Sequence, residues 1–205
     1  MKYIYFLLSF AFVSVSVSLA QVPNPAFIDL PNDEVTAVAV DPTYVYIGGS
    51  LRNVAQTTRR RLARYNRATG LLDPIWNPNV ANGTVNCISV SGSDVFIGGS
   101  FILVNDSNFR SNTHHRNFIA KISSIGAGTL DSLWNPSADA QVFCIAVNGM
   151  DIYVGGAFTN IGGATRNGVA KLSAIGVGTA DTSWNPNANS PTMFTRLLWM
   201  AQMSM

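Results

Sequence analysis

Residues 151–186 read DIYVGGAFTNIGGATRNGVAKLSAIGVGTADTSWNP, and this stretch decides the fold because its pattern occurs three times in the chain. Each copy has an apolar run that ends in a glycine pair, and later a Trp-Asn-Pro triplet. The glycine pairs are Gly48-Gly49, Gly98-Gly99 and Gly155-Gly156, and the triplets begin at Trp76, Trp134 and Trp184. Self-similarity at such a period is typical of repeat architectures.

One insertion reconciles the spacing of the two motifs. The glycine pairs are 50 and 57 residues apart, and the tryptophans are 58 and 50 apart. Gly99 and Ala120 of the second copy are 21 positions apart, whereas Gly49 and Ala63 of the first are 14 positions apart. The extra seven residues therefore lie within 103–115 of the second copy.

Each copy predicts three β-strands, because β-branched and aromatic residues alternate between turn signals. The third strands begin near Leu62, Ile119 and Val169. The first two strands are expected at Val35–Val40 and Tyr44–Ile47, Val85–Val90 and Asp94–Ile97, and Val142–Val147 and Asp151–Val154. No window beyond the N-terminal segment favours an amphipathic helix, so we expect an all-β fold.

Three tandem repeats of about 50 residues favour β-propeller blades over a parallel β-solenoid, whose repeats are usually about 20–30 residues long. One such sheet cannot bury both faces alone, whereas stacking between neighbours does so. The glycine pairs fit a strand end packed against another backbone. The tryptophans fit large fillers between sheets.

These motifs resemble the bacterial delta-60 repeat, a propeller-type repeat of extracellular proteins. The third copy carries the resemblance best, at Gly155–Phe158, Thr165–Asn167, Val169–Leu172 and Asp181–Pro186. The first copy departs most, with Leu51 in place of Phe and Arg60 in place of Asn. The layout is also similar to kelch repeats. The resemblance implies a fold and an extracellular setting, and it brings no catalytic residues.

The N-terminus predicts a secretory signal peptide over residues 1–20, cleaved between Ala20 and Gln21. Lys2 precedes an apolar run with small residues at its end. That run is shorter than the roughly 20 apolar residues of a membrane span. An uncleaved anchor and a buried first strand are the alternatives. We expect a secreted, cell-surface or periplasmic protein with no transmembrane segment after signal removal.

The repeats do not fill a closed propeller, which usually has four to eight blades. We divide the chain into an N-terminal lead at 21–32, repeats at about 33–82, 83–139 and 140–190, and a divergent or truncated tail at 191–205. We therefore expect the three repeats to form an incomplete or open propeller. The alternatives are a piece of a longer propeller, a divergent cap, and closure by self-association through open blade edges.

Composition argues against nucleic acid as a partner. The formal net charge is +2, and only 12% of the residues are charged. A chain with so little net charge has no general electrostatic field to attract a polyanion such as nucleic acid.

Recurring charged residues are interpreted as structural. Asp73, Asp131 and Asp181 recur, as do Arg59, Arg116 and Arg166. A catalytic site needs different groups that converge on one point, whereas these occur once per repeat. Cys87 and Cys144 occupy equivalent positions, and two buried thiols are favoured over a disulfide because bonded cysteines need Cα atoms within roughly 7 Å.

Binding residues are expected where the repeats differ. The first copy alone has the cluster Arg59, Arg60 and Arg61, with Arg64 and Arg67 nearby, which suits phosphate, sulfate or an acidic glycan. A solvated edge is the alternative interpretation.

The insertion of the second copy is the other candidate. Long loops on a rigid scaffold often carry binding. Its candidate residues are Asn105, Asp106, Arg110, His114 and His115. The adjacent histidines raise the alternative of a metal site, but no third or fourth ligand is evident.

The sequence therefore predicts a secreted binding or scaffold module for an extracellular protein or glycan, with no catalytic residues, metal or cofactor. The alternative is a propeller fragment of a larger exported enzyme, such as a glycan-processing one.

Overall fold

A computed structural model of the chain describes residues 31, 33–54, 56–104 and 115–188. Over these residues the protein is all-β, and every strand pairing is antiparallel. In chain order the strands are β1 (Val35–Val40), β2 (Tyr44–Gly49), β3 (Asn53–Val54), β4 (Thr57–Thr58), β5 (Leu62–Asn66), β6 (Val85–Ser91), β7 (Asp94–Gly99), β8 (Ile119–Ser123), β9 (Val142–Asn148), β10 (Asp151–Gly156), β11 (Asn160–Ile161), β12 (Ala164–Thr165) and β13 (Val169–Ser173).

Each repeat forms one three-stranded sheet with the glycine-pair strand in the middle. The strand orders are β1-β2-β5, β6-β7-β8 and β9-β10-β13. A single bridge pairs the last segment of each repeat with its third strand, as at Tyr65↔Leu72 in the first repeat. Each repeat is therefore a meander of three strands with one further paired position.

Small hairpins lie between the second and third strands. β3 pairs with β4 in the first repeat, and β11 pairs with β12 in the third. In the second repeat a bridge between Leu103 and His115 occupies the same place and brackets the insertion. These hairpins are not evident from the sequence, because strands of two residues carry no alternation signal.

Consecutive sheets stack through the first glycine of each pair. A Cβ at Gly48 would lie 2.6 Å from Val85 Cγ1 of the second repeat, and a Cβ at Gly98 would lie 2.4 Å from Val142 Cγ1 of the third. Ordinary carbon contacts are about 3.5–4.0 Å. A larger side chain would therefore push the sheets apart, which explains the glycine at this position in the first and second repeats.

Two apolar cores fill the two junctions. The first contains Tyr46 and Trp76 from the first repeat with Val85 and Ile97 from the second. The other contains residues of the second and third repeats around Trp134. The first and third sheets do not pack face to face within the described residues.

The prediction of an all-β chain of small antiparallel sheets is confirmed. The described residues do not form a closed ring. The predicted signal peptide at 1–20, most of the lead at 21–32, and the tail at 191–205 lie outside the described residues. No helix in the described part of the chain is long and apolar enough to cross a membrane.

Candidate functional site

The recurring arginines lie inside the repeats. Arg59, Arg116 and Arg166 are each almost fully buried. Arg116 Nη2 donates to the carbonyl oxygens of Asp131 at 2.9 Å and Ser132 at 3.0 Å, and Arg59 makes the same contacts in its own repeat. These guanidinium groups pin the turn before each tryptophan and do not face solvent.

The recurring aspartates hold the same turns from the other side. Asp131 Oδ1 accepts hydrogen bonds from the backbone N–H groups of Leu133 and Trp134 at 3.0 and 3.1 Å. Its other oxygen lies 2.6 Å from Lys121 Nζ. Burial raises the pKa of Asp131, but the hydrogen bond from Lys121 and those backbone donors outweigh burial and leave the pKa below its ordinary value.

The structure separates the arginines of the first repeat. Arg59 and Arg64 are buried, whereas Arg67 is exposed and donates to the carbonyl oxygen of Asp41. Arg67 lies beyond the end of β5, at the opposite end of that strand from Arg60 and Arg61, so it cannot join them in one site. Of this cluster, Arg60 and Arg61 are half-buried and lie together just before β5.

Arg61 is fixed against the start of the second repeat. Its guanidinium donates to the carbonyl oxygens of Val80 at 3.1 Å and Ala81 at 2.8 Å. Burial lowers the pKa of Arg61, and the charges of Arg60 and Arg52 lower it further. Three cationic side chains therefore share this edge of the first repeat.

A groove of about 420 Å³ lies at the junction of the first and second repeats, and Arg60 is on its wall. The remaining lining is amide, hydroxyl and small side chains: Thr58, Asn77, Asn79, Ala127, Gly128 and Thr129. The size is within the range of small-ligand sites. The groove offers hydrogen-bond donors and acceptors with one guanidinium beside them.

A second groove of about 510 Å³ occupies the equivalent junction of the second and third repeats. It is built from the corresponding elements, with Asn135 from the Trp-Asn-Pro loop, Thr165 from the small hairpin and Thr179 from the next repeat. Its lining has no cation among the described residues. Arg60 therefore distinguishes two sites of the same construction.

The asparagines of the grooves were not singled out by sequence analysis. Asn77 and Asn135 belong to the recurring Trp-Asn-Pro triplet, and that recurrence is the signal that could have found them. Asn79 and Ser137 are equivalent and both have a left-handed backbone, with φ of 51° and 47°. Short polar side chains tolerate that conformation at turns better than most residues.

Most of the predicted insertion site cannot be placed. Asn105, Asp106, Arg110 and His114 lie outside the described residues. His115 is exposed and its carbonyl oxygen accepts a hydrogen bond from Arg116. The structure does not bring His115 to the groove that contains Arg60.

Within residues 33–54, 56–104 and 115–188, no group of three or more His, Cys, Asp or Glu side chains could hold a metal ion. Cys87 and Cys144 are free thiols, and Cys144 is buried. Burial raises the pKa of both thiols. Cys87 is half-buried, but its raised pKa, like that of Cys144, is the opposite of the lowered pKa of a reactive thiolate.

A comparison with protein-family models found no match, and a comparison with curated proteins found no relative. The resemblance to the delta-60 repeat therefore stays a prediction.

Proposed function

We propose that the chain is a secreted, propeller-type repeat module that binds an acidic extracellular glycan in the groove beside Arg60. The observation that carries the proposal is the pair of equivalent grooves, of which the one at the first junction has a cationic wall.

The arrangement of the repeats supports the propeller part of the proposal. Each sheet is a small antiparallel meander, and consecutive sheets along the chain pack face to face. Propellers are built from such sheets around a channel, with loops gathered on one face. The delta-60 resemblance and the N-terminal leader pattern are the grounds for an extracellular setting.

The lining of the groove supports binding rather than catalysis. Amide and hydroxyl side chains exchange hydrogen bonds with sugar hydroxyl groups, and the guanidinium of Arg60 matches a carboxylate or sulfate with two parallel donors. Arg61 and Arg52 add positive charge nearby. No acidic side chain is among the residues that line the first groove.

The test is calorimetric titration of the purified protein with a polygalacturonate oligosaccharide. We expect binding that weakens as salt is added, because the contact is charge-assisted. Arg60→Gln should weaken binding by about 10-fold or more, the effect of losing one charged hydrogen-bond pair.

Arg67→Gln is the matched control, since it removes the same charge from the same repeat at the far end of β5. Equal losses in both variants would mean that net charge alone attracts the glycan. The absence of any binding, or binding unaffected by Arg60→Gln, would contradict the proposal.

A further inference from the structure

The contacts between repeats have a direction. Trp76 of the first repeat donates its indole N–H to Ser123 O of the second at 2.9 Å. Trp134 of the second donates to Ser173 O of the third at 2.8 Å. Each repeat thus supplies an aromatic donor on its forward face, and the next repeat supplies the acceptor at the end of its third strand.

The outer face of the third sheet carries the same forward set. Tyr153 and Trp184 meet edge to face with ring centroids 5.5 Å apart, as Phe96 and Trp134 do at 5.3 Å. Lys171 lies 2.6 Å from Asp181, the same distance that joins the equivalent pair in the second repeat. Trp184 is partly exposed, whereas Trp134 is fully buried. This face is built like a junction, and no sheet of the described residues lies on it.

The outer face of the first sheet is exposed where the equivalent faces of the other sheets are covered. Val38 is 61% exposed, whereas its equivalents Ile88 and Ile145 are 9% and 5% exposed because the preceding sheet covers them. Val40 on the same face is exposed to the same degree as Val38. The turn after β5 differs from its counterparts, because Gly70 is buried and its N–H donates at 2.8 Å to Asn66 O, the counterpart of Ser123 O.

We propose that the outer face of the third sheet binds the outer face of the first sheet in a second copy of this chain. The new junction would resemble the two internal ones, with Val38 of one molecule buried against Tyr153 of the other and Trp184 over the turn that follows β5. The occupant is a second copy because the first sheet exposes, at Val38, the apolar position that a preceding sheet covers in the second and third repeats. The inference rests on this stacking and is independent of the glycan proposal.

The third repeat differs from the other two at one position that faces the proposed interface. Thr36 and Asn86 each donate a side-chain hydrogen bond forward, to Val85 O at 2.6 Å and Val142 O at 3.1 Å. The third repeat has Phe143 at this position, and it is 39% exposed. Phe143 enlarges the apolar surface of the third face opposite Val35 of the second copy.

Contact between two different faces is heterologous, so it generates a closed ring or an open filament. The described three-stranded sheets of two chains number six, which lies within the usual four to eight of closed propellers. The test is light scattering on the 205-residue chain over a range of concentrations. We expect a discrete dimer or a concentration-dependent ladder rather than the monomer of 22.0 kDa or its leader-free form.

Val38→Asp blocks the first face, and Phe143→Asp blocks the third. Each should weaken association about 100-fold, because an unpaired carboxylate would be buried. An equimolar mixture of the two variants should form a heterodimer, since each still has the face that the other lacks. Phe143→Asn should associate more strongly than Phe143→Asp, because an asparagine here can donate the hydrogen bond that Asn86 donates to Val142 O at the internal junction.

Val177→Asp is the control, since Val177 is exposed but lies at the junction of the second and third repeats, away from both outer faces. Near-ultraviolet circular dichroism of each variant checks that it folds. A contact with a Kd of about 1 μM would be largely formed at about 100 μM protein. A wild-type chain that stays monomeric at that concentration would overturn the proposal. Failure of the two variants to associate with each other would overturn it as well.

Discussion

Replacing Gly178 with alanine perturbs the junction between the second and third repeats at one atom. An added Cβ would lie 2.9 Å from Trp134 Nε1 and 3.1 Å from Pro136 Cδ. Trp134 has no exposed surface, and its indole N–H is fixed on Ser173 O at 2.8 Å. The ring cannot move away without stretching that hydrogen bond or opening the core.

The expected loss of stability has two parts. The backbone of Gly178 has φ of +79°, and a left-handed conformation costs a non-glycine residue about 1–2 kcal/mol. Overpacking of a filled core adds about 1–3 kcal/mol. Gly178→Ala should therefore lower the free energy of unfolding by about 2–5 kcal/mol.

Gly176→Ala separates the two parts, because Gly176 has φ of +64° and no atom within 4 Å of an added Cβ. That variant should lose only the backbone part. Urea unfolding followed by tryptophan fluorescence gives both values, with the slope m checked for constancy. Free-energy changes at independent sites add to within about 0.5 kcal/mol. If the free energies of unfolding of the two variants differ by less than this, Trp134 is not held against the Gly178 turn and the stacking argument fails.

Three further outcomes follow from the turns and the thiols. The pKa of Asp131 is lowered in the folded protein, so the carboxylate stabilises the fold above its unfolded pKa of 3.8, and this stability is lost as the pH falls from 3.8 toward the folded pKa. Asp131→Asn should reduce this loss of stability at low pH, measured by thermal melts from pH 7 to pH 2. Arg116→Gln should cost about 2–4 kcal/mol because buried carbonyl groups lose a charged donor, whereas Arg67→Gln should stay within about 0.5 kcal/mol, both measured by urea unfolding. Cys87 and Cys144 should not react with Ellman's reagent in the native protein at pH 7, and both should react in denaturant; a disulfide between them would leave no thiol to titrate.

Strands with a strong local pattern were predictable from the sequence. β1 begins and ends where the alternation of valine with small residues begins and ends, and β5, β8 and β13 begin at the residues expected. The second strands extend over the glycine pairs, beyond their expected ends. Glycine has weak strand propensity, so the sequence underestimates a strand whose end is fixed by packing on the next sheet.

The site was predictable only in part, because burial decides the role of an arginine and the sequence does not show burial. Arg59, Arg60 and Arg61 look alike as a run, yet one is interior, one lines a groove and one is fixed on carbonyl oxygens. The repeat alignment does contain a hint, since Arg59 has an arginine at its equivalent in each repeat and Arg60 does not.

The forward direction of the tryptophan contacts has a consequence for how such a gene can be lengthened. Because each repeat offers donors to its successor and acceptors to its predecessor, a whole extra unit spliced between Pro136 and Val142 would find both partners already present. A duplication with boundaries in mid-sheet would instead separate a donor from its acceptor. The register of the hydrogen bonds therefore sets the unit in which the array can be lengthened.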